Sequence, residues 1–438
     1  MKIDTVTKYL SSRGVAGPWA IEGTEKSDYA AAVVIPALAE NDLLFFTLDS
    51  LTRNRTDLLR RVLILIVINN GKSASAAVRE NNRATLERLR GFPFSPHVQL
   101  GWIDAASPGQ EIPSRVAGVG MARKIGFDLA LGRVDFENHS PLLISLDADT
   151  VCAPNYLEAV FAHFRRTRAP GAVVPFCHQR GDTPEQDAAI RRYELFLRAY
   201  VLGLAGAGSP FAFHTVGSAM ACTAEGYVRI GGMKVRQAAE DFYFLEHLAK
   251  DGGVSPLAGT VVYPSARTSS RVPFGTGRSM TKLMEEGRNA VLFYQPGVYE
   301  VLKKWLNLVS LSLDKSGETI EKEAADISGD LADFLRAADF WTQWEKLRKN
   351  FKTPSQLLKA FHAWFDALKT MKLIHHLSAG PFPRMEPGEV LPGLLRWAGL
   401  PHAEGQEAQL QLLRKRQNGC SPSPQTCPCS PSRVRSSP

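Results

Sequence analysis

Three short apolar runs constrain this chain more than anything else in it: AAAVVIPAL (residues 30–38), VLILIVINN (62–70) and PLLISLDAD (141–149). Each is apolar at consecutive rather than alternate positions, the pattern of a strand covered on both faces. Between them lie stretches with helical spacing, DLLFFTLDSLTR (42–53) and VGMARKIGFDLALGRV (119–134). A further helical stretch, APNYLEAVFAHFRRT (153–167), precedes a fourth apolar run, GAVVPF (171–176). Strands alternating with helices predict a parallel or mixed α/β sheet. Such sheets bind ligands at the carboxyl ends of their strands.

The 438 residues, 44% hydrophobic and 22% charged, have globular composition and room for two or three domains. Residues 1–28 read as an N-terminal extension, 29–272 as the α/β domain, 273–410 as a helical region and 411–438 as a disordered tail. In the helical region, GVYEVLKKWLNLVSLSL (297–313) and SQLLKAFHAWFDALKTM (355–371) carry aromatic stripes that read as core. The tail, with its Ser, Pro and Arg, has too few apolar residues to bury. No stretch reaches the ~18 apolar residues of a membrane span, and the first residues lack the apolar centre of a signal peptide. The expectation is a cytoplasmic protein. Lys303 and Lys304 beside Trp305 leave room for peripheral membrane contact and no more.

The net charge of +8 is spread along the chain and suits anionic ligands. No basic run interleaved with aromatics points to nucleic acid. Of six cysteines, Cys152, Cys177 and Cys222 stand singly in apolar surroundings and read as reduced thiols; Cys420, Cys427 and Cys429 lie in the tail. Without a Cys-x-x-Cys pair, a structural zinc site is not expected.

The third run ends in two carboxylates, Asp147 and Asp149. Like charges there repel unless a cation lies between them. Mg²⁺ and Mn²⁺ prefer oxygen ligands, so the pair is a candidate metal site; the plainer reading is a solvated turn capping the strand. Four further segments decide between them.

VVIPALAEND (33–42), LIVINNGKSAS (65–75), GVGMARKIGFDLAL (118–131) and TVGSAMACTAEGYVRIGGMKVRQAAEDFYFLEHLAKDGG (215–253) follow one another in an order that resembles a family 2 glycosyltransferase of the GT-A fold. The resemblance covers roughly residues 29–253. Pro36 and Glu40 match the opening strand, with Ala39 where Asn is usual. Asn69 and Asn70 stand in place of an acidic pair; asparagine accepts as a carboxylate does and also donates. Arg123 matches a Gly-x-x-x-Ala-Arg-Asn helix, with Lys124 in place of Asn. Gly217 and Ser218 resemble a small-residue strand on the acceptor side, Gly231 and Gly232 a Gly-Gly turn, and Glu240-Asp241 the family's Glu-Asp pair. Taken alone, that pair reads equally as helix capping.

The resemblance implies a mixed nucleotide-sugar-binding sheet with a helical C-terminal domain. It implies metal-dependent, inverting transfer of a sugar, hexosyltransferase-like, from a UDP- or GDP-sugar to an acceptor hydroxyl whose identity stays open. Asp149, with Asp147, would hold Mn²⁺ or Mg²⁺. Asp147, Pro36, Glu40, Asn69, Asn70, Arg123 and Lys124 would line the donor, and Asp241, beside Glu240, would be the base. A third metal ligand is often a His from the segment after the sheet. Here ARTSSRVPFGTGRSM (266–280) has none, although His178 and His214 flank the sheet region. FGTGR, with Arg271 and Arg278, reads as a basic loop suited to a diphosphate. The competing readings are a non-catalytic nucleotide-sugar-binding scaffold and a sugar-phosphate nucleotidylyltransferase. The second should carry a Gly-rich loop with Arg after the first strand, which IPALAEND lacks.

Overall fold

The computed structural model describes residues 3–93, 95–235, 239–269 and 275–418. Arg271 and the three tail cysteines lie outside the described residues. The described chain separates into two compact units. One comprises residues up to 190, 215–284 and those from 414; the other comprises 191–214 and 285–413. The sequence placed the change at residue 273. The unit boundary also falls inside the helix Pro184–Gly206, where an unbroken helical pattern gives no sign of it.

Among the described residues the first unit has nine strands: β1 (Ala31–Ala37), β2 (Val62–Asn69), β3 (Leu100–Ala105), β4 (Leu142–Ser145), β5 (Val151–Cys152), β6 (Gly171–Val173), β7 (Met220–Thr223), β8 (Val254–Pro256) and β9 (Val262–Tyr263). Seven form a mixed sheet in the order β3-β2-β1-β4-β7-β6-β8, and β5 pairs with β9 separately. Every residue of β1 and β2 is buried, as their uninterrupted apolar sequences require. The helix Val119–Ala130 covers one face, and Gly126 sets how closely it lies. A Cβ there would come 2.3 Å from a Val34 methyl, so a larger residue would lift the helix off the sheet.

Register decides where the functional groups gather. β1 and β2 run parallel, with Ala37 opposite Ile68, and β4 lies parallel to β1 with Ser145 opposite Val34. β7 is antiparallel to β4, placing Met220 opposite Ser145. The chain leaving β1, β2 and β4 and the chain entering β7 therefore share one sheet edge. Asn69 ends β2, and Glu40, Asn70, Asp147, Asp149, Gly217 and Ser218 lie in those connections.

The N-terminal segment is an integral part of this unit. The helix Ile3–Arg13 is held through Tyr9, whose hydroxyl donates to Asp128 (2.8 Å), and Glu22 bridges to Trp102 of β3.

The second unit is helical, and its aromatic stripes form its core. Trp305, Trp344, Phe340 and Phe361 are all buried, with Trp305 and Phe340 rings 5.1 Å apart at 81°. Edge-to-face aromatic packing of this kind adds to the gain from buried area. The last described helix, Gly405–Asn418, runs eight residues into the stretch expected to be disordered. Leu410 and Leu413 are buried on it, and the Asn418 amide donates to the Phe176 carbonyl at 3.1 Å. Leu410, Leu412 and Leu413 are the only large apolar residues of that helix, a pattern too sparse among its polar residues to read in sequence.

Candidate active site

The Asp147–Asp149 turn leaves the sheet under tight backbone control. Leu146 N–H donates to the Val34 carbonyl (3.1 Å), extending the pairing with β1, and Thr150 N–H closes on the Asp147 carbonyl (3.1 Å). Thr47 Oγ1 donates to the Ala148 carbonyl at 2.8 Å. The turn is fixed from three directions, and the two carboxylates project from it.

Arg123 organises the first half of the site. It stands on the helix Val119–Ala130 and is 3% exposed. Its Nε donates to Ser145 Oγ at 2.9 Å. One terminal nitrogen pairs with Glu240 and the other with Asp147. Burial alone would favour a neutral guanidine, but Asp147, Glu240 and Asp241 outweigh it and hold the group charged. Gly217 makes room for this arrangement: a Cβ would stand 2.5 Å from Arg123 Nη2.

Asp241 begins the helix Glu240–Asp251 with Glu240. Its carboxyl is pushed up to about 7, first by loss of hydration and then by the Glu240 charge, with Arg123 pulling the other way. Its Oδ1 accepts from Phe242 N–H at 2.8 Å. A carboxyl in this state exchanges a proton near neutral pH, which an ordinary surface aspartate does not.

Arg267 organises the second half. Its Nε donates to Asp149 Oδ2 at 2.9 Å and its Nη2 pairs with Glu40. The turn and the segment carrying Arg267 are joined by Gln179, whose amide donates both to the Asp149 carbonyl (3.0 Å) and to the Tyr263 carbonyl (2.7 Å). Asp149, Glu40 and Asp147 together keep this guanidinium charged against its burial. Asp147 acts on both arginines, so the halves form one cluster. Five carboxylates (Glu40, Asp147, Asp149, Glu240 and Asp241) face two guanidiniums, which leaves three negative charges in excess when all are ionised.

That excess bears on the metal. Among the described residues no three His, Cys, Asp or Glu side chains are arranged to hold an ion. Asp147 and Asp149 offer two carboxylates, 35% and 17% exposed. This donor set does not fit an all-protein cage. It fits a hard ion that takes one or two carboxylates and completes its shell with water and phosphate oxygens.

The asparagines divide. Asn70 is held within the protein, donating to the Ala106 carbonyl (3.3 Å) and accepting from Asn82 (2.8 Å). Asn69 Oδ1, at the carboxyl end of β2, is buried and has no hydrogen-bond partner among the described residues, an acceptor available to a ligand donor. Asn82 ties the two strand ends together, accepting from Ala39 N–H (2.9 Å) and donating to the Asn69 carbonyl (3.1 Å).

Lys124 is not in the arginine cluster. Its ammonium donates to Tyr9 OH (3.0 Å), the Arg13 carbonyl (2.9 Å) and Asp128 Oδ2 (2.8 Å). The Gly231–Gly232 turn belongs to the same neighbourhood. Both glycines have positive φ, and a Cβ on Gly232 would overlap Tyr9 OH at 1.8 Å. This turn receives the N-terminal helix. Ser218 is buried, and Pro36 is a buried member of β1 opposite Val67. His178 packs edge-on against Phe176 (5.3 Å), His214 falls in the helical unit, and Arg278 stands half-buried on the helix Thr276–Glu286.

The sequence reading missed Arg267, Asn82 and Ser145. An arginine directly after the β9 segment was visible in SARTSS (265–270), but nothing in its spacing marks it.

Fold and site together define an α/β protein with an acidic, arginine-bridged cluster at the strand ends of a mixed sheet. No protein-family model matches the chain, and no curated protein matches it. Solved structures similar to it include S. aureus TarS 1–349 in complex with UDP-GlcNAc: 11% identity, 89% of this chain and 92% of that one, TM-score 0.36. Another is the mannosyltransferase PcManGT from Pyrobaculum calidifontis in complex with GDP-Man and Mn²⁺: 14% identity, 94% and 92% coverage, TM-score 0.37. In a further match to S. aureus TarS 1–349, at 10% identity and TM-score 0.34, 54% of this chain is covered, and the chain spans 60% of that structure. Likenesses of this degree fix neither family nor activity.

Proposed function

We propose that this protein is a metal-dependent, inverting glycosyltransferase of the GT-A type that moves a sugar from a nucleoside-diphosphate donor to an acceptor hydroxyl. The observation that carries the reading is the cluster itself: an Asp-x-Asp turn at the carboxyl end of β4, tied through Arg123 to an acidic pair whose Asp241 carboxyl is pushed up to about 7. A hydroxyl acceptor needs a base that can take a proton near neutral pH, and a carboxyl pushed up to about 7 is partly deprotonated there while staying more basic than an ordinary aspartate. Glu240, held by Arg123, keeps that basicity high by its charge.

Asp149 and Asp147 would hold Mn²⁺ or Mg²⁺, which when bound offsets the charge developing on the departing diphosphate. Pro36 and Glu40 at the end of β1 and Asn69 at the end of β2 face the donor in this reading, with Asn69 Oδ1 as acceptor for a base N–H; Asn70 shapes that strand end from behind. Gly217 and Ser218 line the acceptor side. Arg123 acts chiefly as the fixed counter-charge that lets Asp147, Glu240 and Asp241 share one site.

The test is thermal unfolding with UDP, GDP, CDP and ADP, each with Mn²⁺, Mg²⁺ or EDTA. A nucleotide at about a hundred times its dissociation constant adds roughly 2.7 kcal/mol. The expected result is a stabilisation by one nucleotide that disappears in EDTA and in Asp149→Asn. A folded protein that responds to none of them refutes the donor site. A scaffold would keep the nucleotide response and show no sugar transfer, in the wild type as in Asp241→Asn.

A further inference from the structure

Arg267 and Asp149 raise a question the donor-site reading leaves open. The carboxylate best placed for a divalent ion already has a cation on it. Arg267 Nε lies 2.9 Å from Asp149 Oδ2, and the same guanidinium reaches Glu40 through Nη2. An arginine fork across two carboxylates is a strong, directional arrangement. A divalent ion and a guanidinium cannot share one carboxylate oxygen at these distances without strong repulsion.

The backbone is anchored while the side chain keeps access to solvent. β9 pairs with β5, putting Tyr263 opposite Val151, two residues past Asp149. Gln179 fastens the Tyr263 carbonyl to the Asp149 carbonyl. Gln186 donates to the Ala266 carbonyl at 3.0 Å, and Arg267 N–H donates to Ser265 Oγ at 3.2 Å. Its Cα is therefore held near the turn, yet the side chain is 32% exposed against 3% for Arg123. Arg123 is locked by burial; Arg267 can exchange partners by rotating its own side chain.

We propose that Arg267 is a built-in competitor for the cation: it pairs with Glu40 and Asp149 when no ion is bound, yields Asp149 when a divalent ion enters, and then pairs with the diphosphate that arrives with that ion. The inference rests on the donor-site reading. It adds that ion and diphosphate bind cooperatively, because each removes a cost the other would meet alone.

The experiment is Mn²⁺ binding to the full chain, followed by the electron paramagnetic resonance signal of free Mn²⁺, with and without inorganic pyrophosphate. Arg267→Gln is expected to bind Mn²⁺ alone about fivefold more tightly than wild type, the size of a partly screened ion pair. Pyrophosphate is expected to tighten Mn²⁺ in the wild type more than in the variant. Arg267→Lys, which cannot span two carboxylates, should fall between them and carries the test if the glutamine variant does not fold. Equal or weaker Mn²⁺ binding by Arg267→Gln overturns the proposal, as does tightening that survives Asp149→Asn. Mn²⁺ binding by neither protein, with or without pyrophosphate, overturns the donor-site reading and this inference together.

Discussion

Replacing Asp241 by asparagine separates a strained carboxyl from an ordinary one. In the folded protein this group is pushed up to about 7 from an ordinary value of 3.8. A carboxyl with a raised folded value is most favourable to folding at low pH, where both states hold the proton, and that advantage is lost as pH rises toward 7. Between about pH 5 and pH 8, roughly two pH units of the difference are in play, or about 2.7 kcal/mol at 1.36 kcal/mol per unit. Partial exposure of the carboxyl and coupling to neighbouring charges reduce this to about 1.5 kcal/mol. Asparagine has the same shape and does not titrate. The assay is thermal unfolding of wild type and Asp241→Asn at both pH values without ligands. The midpoint of the variant minus that of the wild type should grow by about 3–6 °C from the lower to the higher pH, at about 2–4 °C per kcal/mol for a unit of this size. A difference that stays constant, or shrinks as pH rises, refutes the placement of a strained carboxyl at this position and removes the basis for treating it as the base.

Arg123→Met is expected to cost about 3–5 kcal/mol, because Glu240 and Asp147 lose their shared counter-charge while Glu240 stays buried; chemical denaturation measures it. Tyr9→Phe removes a 2.8 Å hydrogen bond to Asp128 and should cost about 1–2 kcal/mol without changing nucleotide-dependent stabilisation, a separation readable in the same melting experiment.

The sequence was legible where burial is continuous. β1, β2 and β4 are covered on both faces, so their apolar runs announce them and place Asp147 and Asp149 at a strand end. β3 escaped notice because it is the edge of the sheet: Trp102 and Asp104 are half-buried, and LGWIDA breaks the apolar run. Glu240, Asp241 and Arg123 could be paired with the turn only through a resemblance. What joins them is the pairing of Arg123 with both Asp147 and Glu240, 24 and 117 positions away, which no local pattern encodes. Arg267 reaches a carboxylate 227 positions away, and a single arginine in a polar stretch carries no such address. Lys124 shows the reverse case. Its neighbour Arg123 suggested a shared ligand, but adjacent positions on a helix point in different directions, and its ammonium turns to Asp128 on its own helix and to Tyr9, 115 residues earlier.

The Asp128 carboxylate accepts from both Tyr9 and Tyr227, at 2.8 and 2.7 Å, as well as from Val15 N–H and Lys124. Its two tyrosines are the first and last parts of this joint to leave the ribosome. Tyr9 precedes Asp128 by 119 positions and Tyr227 follows it by a further 99. At roughly 5–20 residues per second, the opening helix waits on the order of 10–40 s before its complete seat exists. For that interval Tyr9 has no complete partner, so this joint is closed by the latest-made of its residues and not by the earliest.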